Sequence, residues 1–186
     1  MINDAAFIAD AKVTESVPEH VTITTNDIVT LKATLALIEI VDQLKKHIFY
    51  GRELNTAKIE NCKTEAIELL QQVYTDPIQI TISNKEHIRI CHSILGMITE
   101  SGELINILFD IANKGSYDRT NLLEEMGDIQ WYTGTALDAT NATYQTLFDL
   151  VIAKLKKRYP NGKFESDSAI NRNIEEEYSI MSEHAE

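Results

Sequence analysis

The chain has 186 residues, of which 44% are hydrophobic and 25% charged, a composition typical of a globular domain with its own core. It carries 29 Asp and Glu against 17 Lys and Arg, and the resulting formal charge of −12 repels a phosphate backbone, so nucleic acid is excluded as an expected partner. No apolar run reaches the roughly 18 residues of a membrane span, and the start is acidic where a signal peptide is basic, so we expect no membrane association and a cytoplasmic location.

The first half of the chain predicts two helices. Residues 1–26 show no clear period and are expected to form an N-terminal arm. From residue 27 to 49, apolar side chains recur every three or four residues, which predicts a helix. Gly51 follows, as is typical of a residue that ends a helix. A second helix is expected over residues 55–73. The next segment, 78–83, reads IQITIS and alternates like a strand, but it is short and alone, so we expect a linker.

The second half predicts three more helices. Ser83 with Glu86 three residues later is typical of a capping box at a helix start. The expected helices cover residues 84–113, 118–139 and 143–158. After the last one, Pro160 and Gly162 prevent continuation. The polar, acidic tail at 163–186 is expected to be exposed, with one short helix around NIEEEYSIM.

Helix after helix without a strand ladder indicates an all-α protein, a helical bundle of about five helices. We expect a single catalytic domain over residues 27–162, with its core motifs within 84–162. The two cysteines, Cys62 and Cys91, have no metal-type spacing and are expected to be small core residues in a reducing compartment.

Two pairs of acids lie on consecutive predicted helices. Glu100 and Glu103 fall in GMITESGELIN, and Glu125 and Asp128 fall in NLLEEMGDIQWY. Successive helix residues are about 100° apart, so residues three apart share a face. If the two helices pack antiparallel across the short turn between them, the two pairs face each other.

Four converging carboxylates repel one another in a low dielectric, so they need cations. The donors are all oxygen, and no Glu-x-x-His spacing occurs, which favours Mg²⁺, with Mn²⁺ as a substitute, over a di-iron site. A single Glu-x-x-Glu pair is usually a solvated face. Two pairs embedded in apolar residues, without lysines one turn away, favour a metal site instead.

The motifs HSILGMITESGELI, NLLEEMGDIQWY, AKLKKRYPNGKF and AINRN, in this order over about residues 84–173, resemble the MazG-like branch of the all-α nucleoside triphosphate pyrophosphohydrolases, relatives of the dimeric dUTPases. The resemblance implies that Glu100, Glu103, Glu125 and Asp128 bind two or three Mg²⁺ ions. It also implies hydrolysis of a nucleoside triphosphate to a monophosphate and pyrophosphate, by a homodimer or homotetramer.

Basic residues at the end of the last long helix are candidates for phosphate binding. Lys154 and Arg158 lie four residues apart on one face, so both can point at a polyphosphate. Attraction of cations to a helix C-terminus explains Arg158 equally well, but Lys154 lies too far back for that. In the family a Lys and an Arg-Tyr at these positions contact substrate, which adds Tyr159.

Other candidates have two interpretations each. His92 and Gly96 lie on the stripe of Glu100, and Gly96 could leave room for a nucleotide, whereas His92 could equally be a core histidine. Trp131 could stack on a base or belong to the core. The general base stays open, because Thr99 stands where some relatives have an extra Glu: either a metal-bound hydroxide acts directly or Glu124 assists.

The chain departs from the family at two positions: Val151 replaces a common Asn, and Asn173 replaces the Asp of an Asn-Arg-Asp motif. The segment LKKHIFYGREL at 44–54 resembles phage members, which makes (d)GTP the first substrate to consider and a phage-type, guanine-preferring enzyme the expectation. Nearby Glu39 and Asp42 are explained by ion pairs with neighbouring lysines. Alternatives are a dUTPase-like or other phosphoanhydride hydrolase and a non-enzymatic helical-bundle regulator.

Overall fold

A computed structural model describes residues 3–185, and 74% of these described residues are helical. The helices are α1 (Asp4–Thr14), α2 (Thr25–Tyr50), α3 (Thr56–Gln71), α4 (Lys85–Lys114), α5 (Arg119–Ala139), α6 (Tyr144–Arg158), α7 (Ser166–Ile170) and α8 (Ile174–Ala185). Residues 3–185 also contain two short strands, β1 (Val21–Thr24) and β2 (Gln79–Ile82). The all-α class is therefore confirmed, and the five long helices expected from the sequence correspond to α2 through α6. Among the described residues, no helix combines the length and the apolarity that crossing a membrane requires.

The chain forms two compact units. One, the α2–α3 unit, consists of residues 20–82; the other, the larger unit, consists of the residues up to 19 and those from 83 onward. These boundaries differ from the expected arm, domain and tail. The arm contains α1, which packs against α5, and the tail contains α8, which packs against α6. Residues 1, 2 and 186 of that arm and tail lie outside the described residues.

The α2–α3 unit is a helical hairpin with well-defined helix ends. Thr24 and Asp27 form a reciprocal capping box at the start of α2, and Gly51, in the left-handed conformation with φ 63°, ends it. The side of α2 that faces α3 carries small residues, which let the two helices approach closely. The buried residues of this seam are Ala33, Ala36, Cys62 and Ala66.

The expected linker at residues 78–83 is wrong, because Gln79–Ile82 is a strand. It pairs antiparallel with β1, placing Val21 opposite Ile82 and Thr24 opposite Gln79. The alternation of residues 78–83 was thus a true strand signal. Its partner lies far away in the sequence, inside the segment that shows no clear period, so the pairing could not be recognised from local pattern.

The larger unit is organised around a hairpin of α4 and α5. Asn84 caps α4, Gly115 ends it with φ 66°, and Asp118 caps α5 by accepting hydrogen bonds from two backbone N–H groups. Between the helices, the hydroxyls of Ser93 and Thr135 share a fully buried hydrogen bond of 2.8 Å. Helices α4 and α5 thus pack side by side, which brings Glu100 close to Glu125 and Asp128.

A partly buried ion cluster links α1 to this hairpin. Arg89 Nε donates to both carboxylate oxygens of Glu15, at 2.9 and 2.8 Å, and Arg89 Nη2 lies 2.7 Å from Asp138 Oδ2. Lys12 adds a further ion pair to Asp138 at 3.1 Å. Charges that pair with each other in this way are tolerated inside a protein, whereas one left alone is strongly destabilising.

Candidate metal centre

Three of the four predicted metal ligands come together in the larger unit. Glu100 from α4 and Glu125 and Asp128 from α5 each offer a carboxylate oxygen, and these three oxygens lie within 4.8 Å of one another. The spacing of three residues between Glu125 and Asp128 places both on one face of α5. The hairpin then brings α4 alongside, so the group is assembled across two helices.

Glu125 is the centre of this group. Glu125 is only 7% exposed. Its Oε1 accepts a hydrogen bond of 3.0 Å from Nδ2 of Asn121, which lies one turn earlier on α5. Burial, together with the charges of Glu103 and Glu100, raises the pKa of Glu125 above its ordinary value. A buried carboxylate with a raised pKa is a group that gains from a nearby cation.

Glu103 and Glu124 lie around this group rather than in it. Both are exposed, and both contribute through their charge to the raised pKa of Glu125. The charges that raise the Glu125 pKa belong to four acids, Glu103, Glu100, Glu124 and Asp128. The cluster is therefore a concentration of like, negative charge.

The donor set fits a hard divalent cation. Carboxylate oxygens are the preferred ligands of Mg²⁺, which binds at about 2.1 Å, and of Ca²⁺, which binds at about 2.4 Å. Two ligands on opposite sides of one ion are then separated by about 4 to 5 Å, so a group within 4.8 Å fits one ion after small side-chain rotations. Asp128 is exposed and free to make such a rotation.

Gly96 lies under an aromatic ring, not under open space. A Cβ atom at Gly96 would lie 2.2 Å from two carbon atoms of the Tyr132 ring. The room that the sequence suggested for a nucleotide at Gly96 is thus taken by Tyr132, which packs across from α5 onto α4. This contact sets the distance between the two helices one turn from Glu100.

His92 and Trp131 belong to the same aromatic cluster. His92 meets the rings of Trp131 and Tyr132 edge-on, with centroid distances of 6.1 and 5.5 Å. The indole Nε1 of Trp131 donates a hydrogen bond of 3.1 Å to Thr14 Oγ1 at the end of α1. These contacts are those of a packed cluster; stacking of Trp131 on a nucleobase stays a prediction.

The predicted phosphate-binding residues at the end of α6 have other neighbours. Arg158 donates to both oxygens of Glu177 on α8, from Nε at 2.9 Å and from Nη2 at 2.8 Å. The ring of Tyr159 packs 5.7 Å from that of Phe164. Lys154, on α6, is partly exposed and forms no ion pair within the part of the chain that the structure describes.

Glu177 is the residue of this region that sequence reasoning missed. It is only 2% exposed and also accepts a hydrogen bond of 2.6 Å from Arg172 Nη2. The two guanidinium groups hold the pKa of Glu177 down at about 2. In the sequence, Glu177 is one of three consecutive glutamates in an acidic tail, and nothing local distinguishes it from its neighbours.

The Arg158–Glu177 pair predicts a pH-dependent stability. Because the pKa of Glu177 is about 2 in the folded chain against 4.5 as its ordinary value, its contribution is full above pH 4.5 and is lost as the pH falls towards 2. Glu177→Gln leaves two guanidinium groups without their anion, and we expect it to cost about 3 kcal/mol of unfolding free energy at pH 7. Urea unfolding at a series of pH values measures both effects.

Glu176→Gln is the matched control, since Glu176 forms an exposed ion pair with Lys157 at 2.5 Å. We expect this control to change stability by less than about 1 kcal/mol. Between pH 4.5 and 2 the wild type is expected to lose stability more steeply than the Glu177→Gln chain. Parallel curves would show that Glu177 does not anchor α8.

The two upstream acids Glu39 and Asp42 are paired with lysines inside the α2–α3 unit. Glu39 accepts a hydrogen bond of 2.6 Å from Lys58 of α3. Asp42 is paired with Lys45 at 2.8 Å and with Lys46 one turn later on the same helix. Ion pairing within the α2–α3 unit thus accounts for both acids.

The fold and site define the class of protein: a helical protein with a two-helix carboxylate cluster. Comparison with known proteins adds no family to this description, because no protein-family model, curated protein or solved structure matches the chain.

Proposed function

We propose that the protein is a Mg²⁺-dependent nucleoside triphosphate pyrophosphohydrolase, which converts a (d)NTP and water into a (d)NMP and pyrophosphate. The observation that carries this proposal is the cluster of Glu100, Glu125 and Asp128 within 4.8 Å, in which Glu125 is buried. The charges that raise the pKa of buried Glu125 come from other acids, and a divalent cation would relieve this repulsion. The type of reaction, hydrolysis to a monophosphate and pyrophosphate, is inferred from the resemblance of the four motifs to the MazG-like family.

The burial or exposure of each acid determines its proposed role as a metal ligand. Buried Glu125, held by Asn121, provides a fixed ligand, and exposed Asp128 provides one that can adjust to an incoming phosphate. Glu103, exposed beside the group, is the proposed fourth ligand. A bound Mg²⁺ supplies charge compensation for the phosphate oxygens and a water of lowered pKa.

Glu124 is the candidate general base, which would take the proton from the attacking water; alternatively, a bound Mg²⁺ would lower the pKa of that water enough that no side chain would be needed as base. The chain carries a net charge of −12, so a free triphosphate is repelled and must arrive as its Mg²⁺ complex. Lys154 is the candidate for holding the phosphates. Arg158 already has Glu177 as its partner, which makes it the weaker candidate.

A screen of the eight common ribo- and deoxynucleoside triphosphates with Mg²⁺ tests this function, with pyrophosphate and orthophosphate measured separately. We expect pyrophosphate and the monophosphate in equal amounts, no turnover in EDTA, and partial activity with Mn²⁺. We expect (d)GTP to be among the substrates. Release of orthophosphate alone would contradict the proposal and indicate another kind of phosphoanhydride hydrolase. Preference for dUTP would indicate a dUTPase-like enzyme.

A second candidate, a non-enzymatic helical regulator, is favoured by the pairing of Arg158 with Glu177, which removes one predicted substrate contact. A regulator keeps the helical fold but has no need of metal. Calorimetric titration with Mg²⁺ and Mn²⁺ separates the two candidates. Absence of binding for both ions, together with no turnover in the screen, would favour the regulator.

A further inference from the structure

A cavity opens between three helices of the larger unit. It is bounded by the start of α1, the middle of α5 and the first turns of α6, and its volume of about 410 Å³ lies within the roughly 300 to 1,000 Å³ of small-molecule pockets. We call it the aromatic cavity. Within the part of the chain that the structure describes, its lining consists of Asn3, Asp4, Phe7, Gln130, Tyr144 and Phe148. None of these residues belongs to the candidate metal centre.

Gly134 on α5 allows two of the aromatic residues to meet at this cavity. A Cβ atom at Gly134 would lie 3.4 Å from a ring carbon of Phe7 and 3.5 Å from the hydroxyl oxygen of Tyr144. The same hydroxyl donates a hydrogen bond of 2.7 Å to the backbone carbonyl oxygen of Gln130. Tyr144 is therefore fixed against α5 with its polar end satisfied.

Three aromatic rings form the walls of the cavity. Tyr144 is only 6% exposed and lies at its base. The Phe7 ring lies 6.2 Å from the Tyr144 ring, centroid to centroid, at an angle of 58°, and the Phe148 ring lies 6.0 Å from it at 38°. Phe148 is 52% exposed, so an incoming ligand can reach its ring. A nucleobase stacks on a face parallel to its own plane, whereas inclined rings such as these suit a rounded group.

Asp4 gives the aromatic cavity a negative charge. It is the only charged residue in the described lining, and it lies in the first turn of α1. Its charge reaches the base of the cavity, because burial and then the Asp4 carboxylate raise the pKa of Tyr144. The start of a helix carries only about half a positive charge, which the full charge of the carboxylate exceeds. The potential in the cavity therefore favours a cation.

Aromatic walls and one carboxylate together favour an organic cation. The face of an aromatic ring attracts a cation that lies within about 6 Å of its centroid, and cages of such rings recognise alkylated ammonium groups. A primary ammonium is strongly hydrated and carries three N–H donors, for which aromatic walls offer no acceptors. An alkylated ammonium presents methyl groups instead, and contact with the rings removes this apolar surface from water.

We propose that the aromatic cavity binds a small alkylated ammonium ion, whose methyl groups contact the rings of Phe7, Tyr144 and Phe148 and whose charge is offset by Asp4. The net charge of −12 on the chain also attracts such an ion. The proposal does not depend on the proposed function, because the described lining of the cavity and the carboxylate cluster share no residue.

Calorimetric titration of the full chain with choline at constant ionic strength tests the proposal. We expect one site with a Kd of about 1 mM or tighter. The matched ligand is 3,3-dimethylbutan-1-ol, which has the shape of choline but no charge, and we expect it to bind about tenfold more weakly. The N-methyl proton resonance of choline is expected to move upfield on binding, because these protons would lie over ring faces.

Two variants locate the site. Asp4→Asn keeps the shape of the side chain and removes its charge, and Phe148→Leu keeps an apolar side chain and removes the aromatic face. We expect each to weaken choline binding about tenfold with the helical circular dichroism unchanged. Asp10→Asn, an exposed acid of the same helix, and Phe109→Leu, at a residue of α4 that is 53% exposed, are the matched controls. Both controls are expected to bind choline as the wild type does.

Three results would each overturn the proposal. The first is the absence of choline binding up to about 10 mM. The second is equal affinity for the neutral alcohol, since the cavity would then recognise apolar shape alone. The third is wild-type affinity in both Asp4→Asn and Phe148→Leu, which would place the bound choline elsewhere on this acidic chain.

Discussion

Replacing Glu125 by Gln is expected to abolish binding of a divalent cation while making the metal-free protein more stable. In the metal-free chain, burial and then the negative charges of Glu103, Glu100, Glu124 and Asp128 raise the pKa of Glu125. The amide keeps the shape of the side chain and removes the repulsion. It also removes the fixed ligand, so we expect Mg²⁺ affinity and turnover to fall at least 100-fold.

Calorimetry in the presence and absence of EDTA separates these two effects. In EDTA, we expect Glu125→Gln to melt at a higher temperature than the wild type; with Mg²⁺, the wild type gains stability from binding and the variant does not. Because the folded pKa of Glu125 is raised, the metal-free wild type also gains stability from this group as the pH falls towards 4.5, and the variant does not.

Asp110→Asn is the matched control, since Asp110 lies on α4 outside the cluster and pairs with Lys114 at 2.7 Å. We expect it to bind Mg²⁺ as the wild type does. In the same assay, Glu103→Gln and Asp128→Asn are expected to lose nearly all turnover and to remain folded. Wild-type metal affinity in Glu125→Gln, or a lower melting temperature in EDTA, would contradict the metal centre.

Gly96→Ala is expected to destabilise the protein by about 3 kcal/mol, although alanine is the better helix former. The added Cβ would lie 2.2 Å from two carbons of the Tyr132 ring. That ring is held edge-on by His92 and Trp131, so it cannot move away without disturbing the cluster. The helices must separate, and we expect Mg²⁺ affinity to fall too, because Glu100 moves away from the acids of α5.

Gly102→Ala on the same helix is the control. No atom lies within 4 Å of the position that its Cβ would take, so we expect a gain of about 0.5 to 1 kcal/mol from helix propensity. In a Tyr132→Ala background, Gly96→Ala is expected to cost little, which a double-mutant cycle in urea measures. An unchanged cost in that background would show that the ring is not the obstacle.

Much of the secondary structure was predictable because its determinants are close in the sequence. Gly51 and Gly115 end their helices in the left-handed conformation, as expected of a glycine that follows a segment with helically spaced apolar residues. The start of α4 was expected close to its observed place, but the cap is wrong by one residue: Asn84 accepts a hydrogen bond from the backbone N–H of His87, and Ser83 with Glu86 does not form the predicted capping box. The i, i+3 spacing of Glu125 and Asp128 also placed both on one face of α5 before any packing was known.

The partners of several side chains were not predictable. Tyr132 could pack on Gly96 only once α4 and α5 were side by side. Arg158 carried two interpretations in the sequence, and only α8 folding back onto α6 gave it Glu177 as a partner. Strand β2 was likewise interpreted as a linker, because its partner β1 is distant in the chain.

The sequence by itself determined the helical class, most helix ends and the helix faces on which the acid pairs lie. Helix caps and the periodic spacing of apolar residues depend only on residues within one or two turns of the helix. The tertiary structure alone decided that Glu100, Glu125 and Asp128 meet while Arg158 pairs with Glu177. Contacts of this kind depend on how distant elements pack, and a charged side chain can satisfy its charge with any partner that packing brings near.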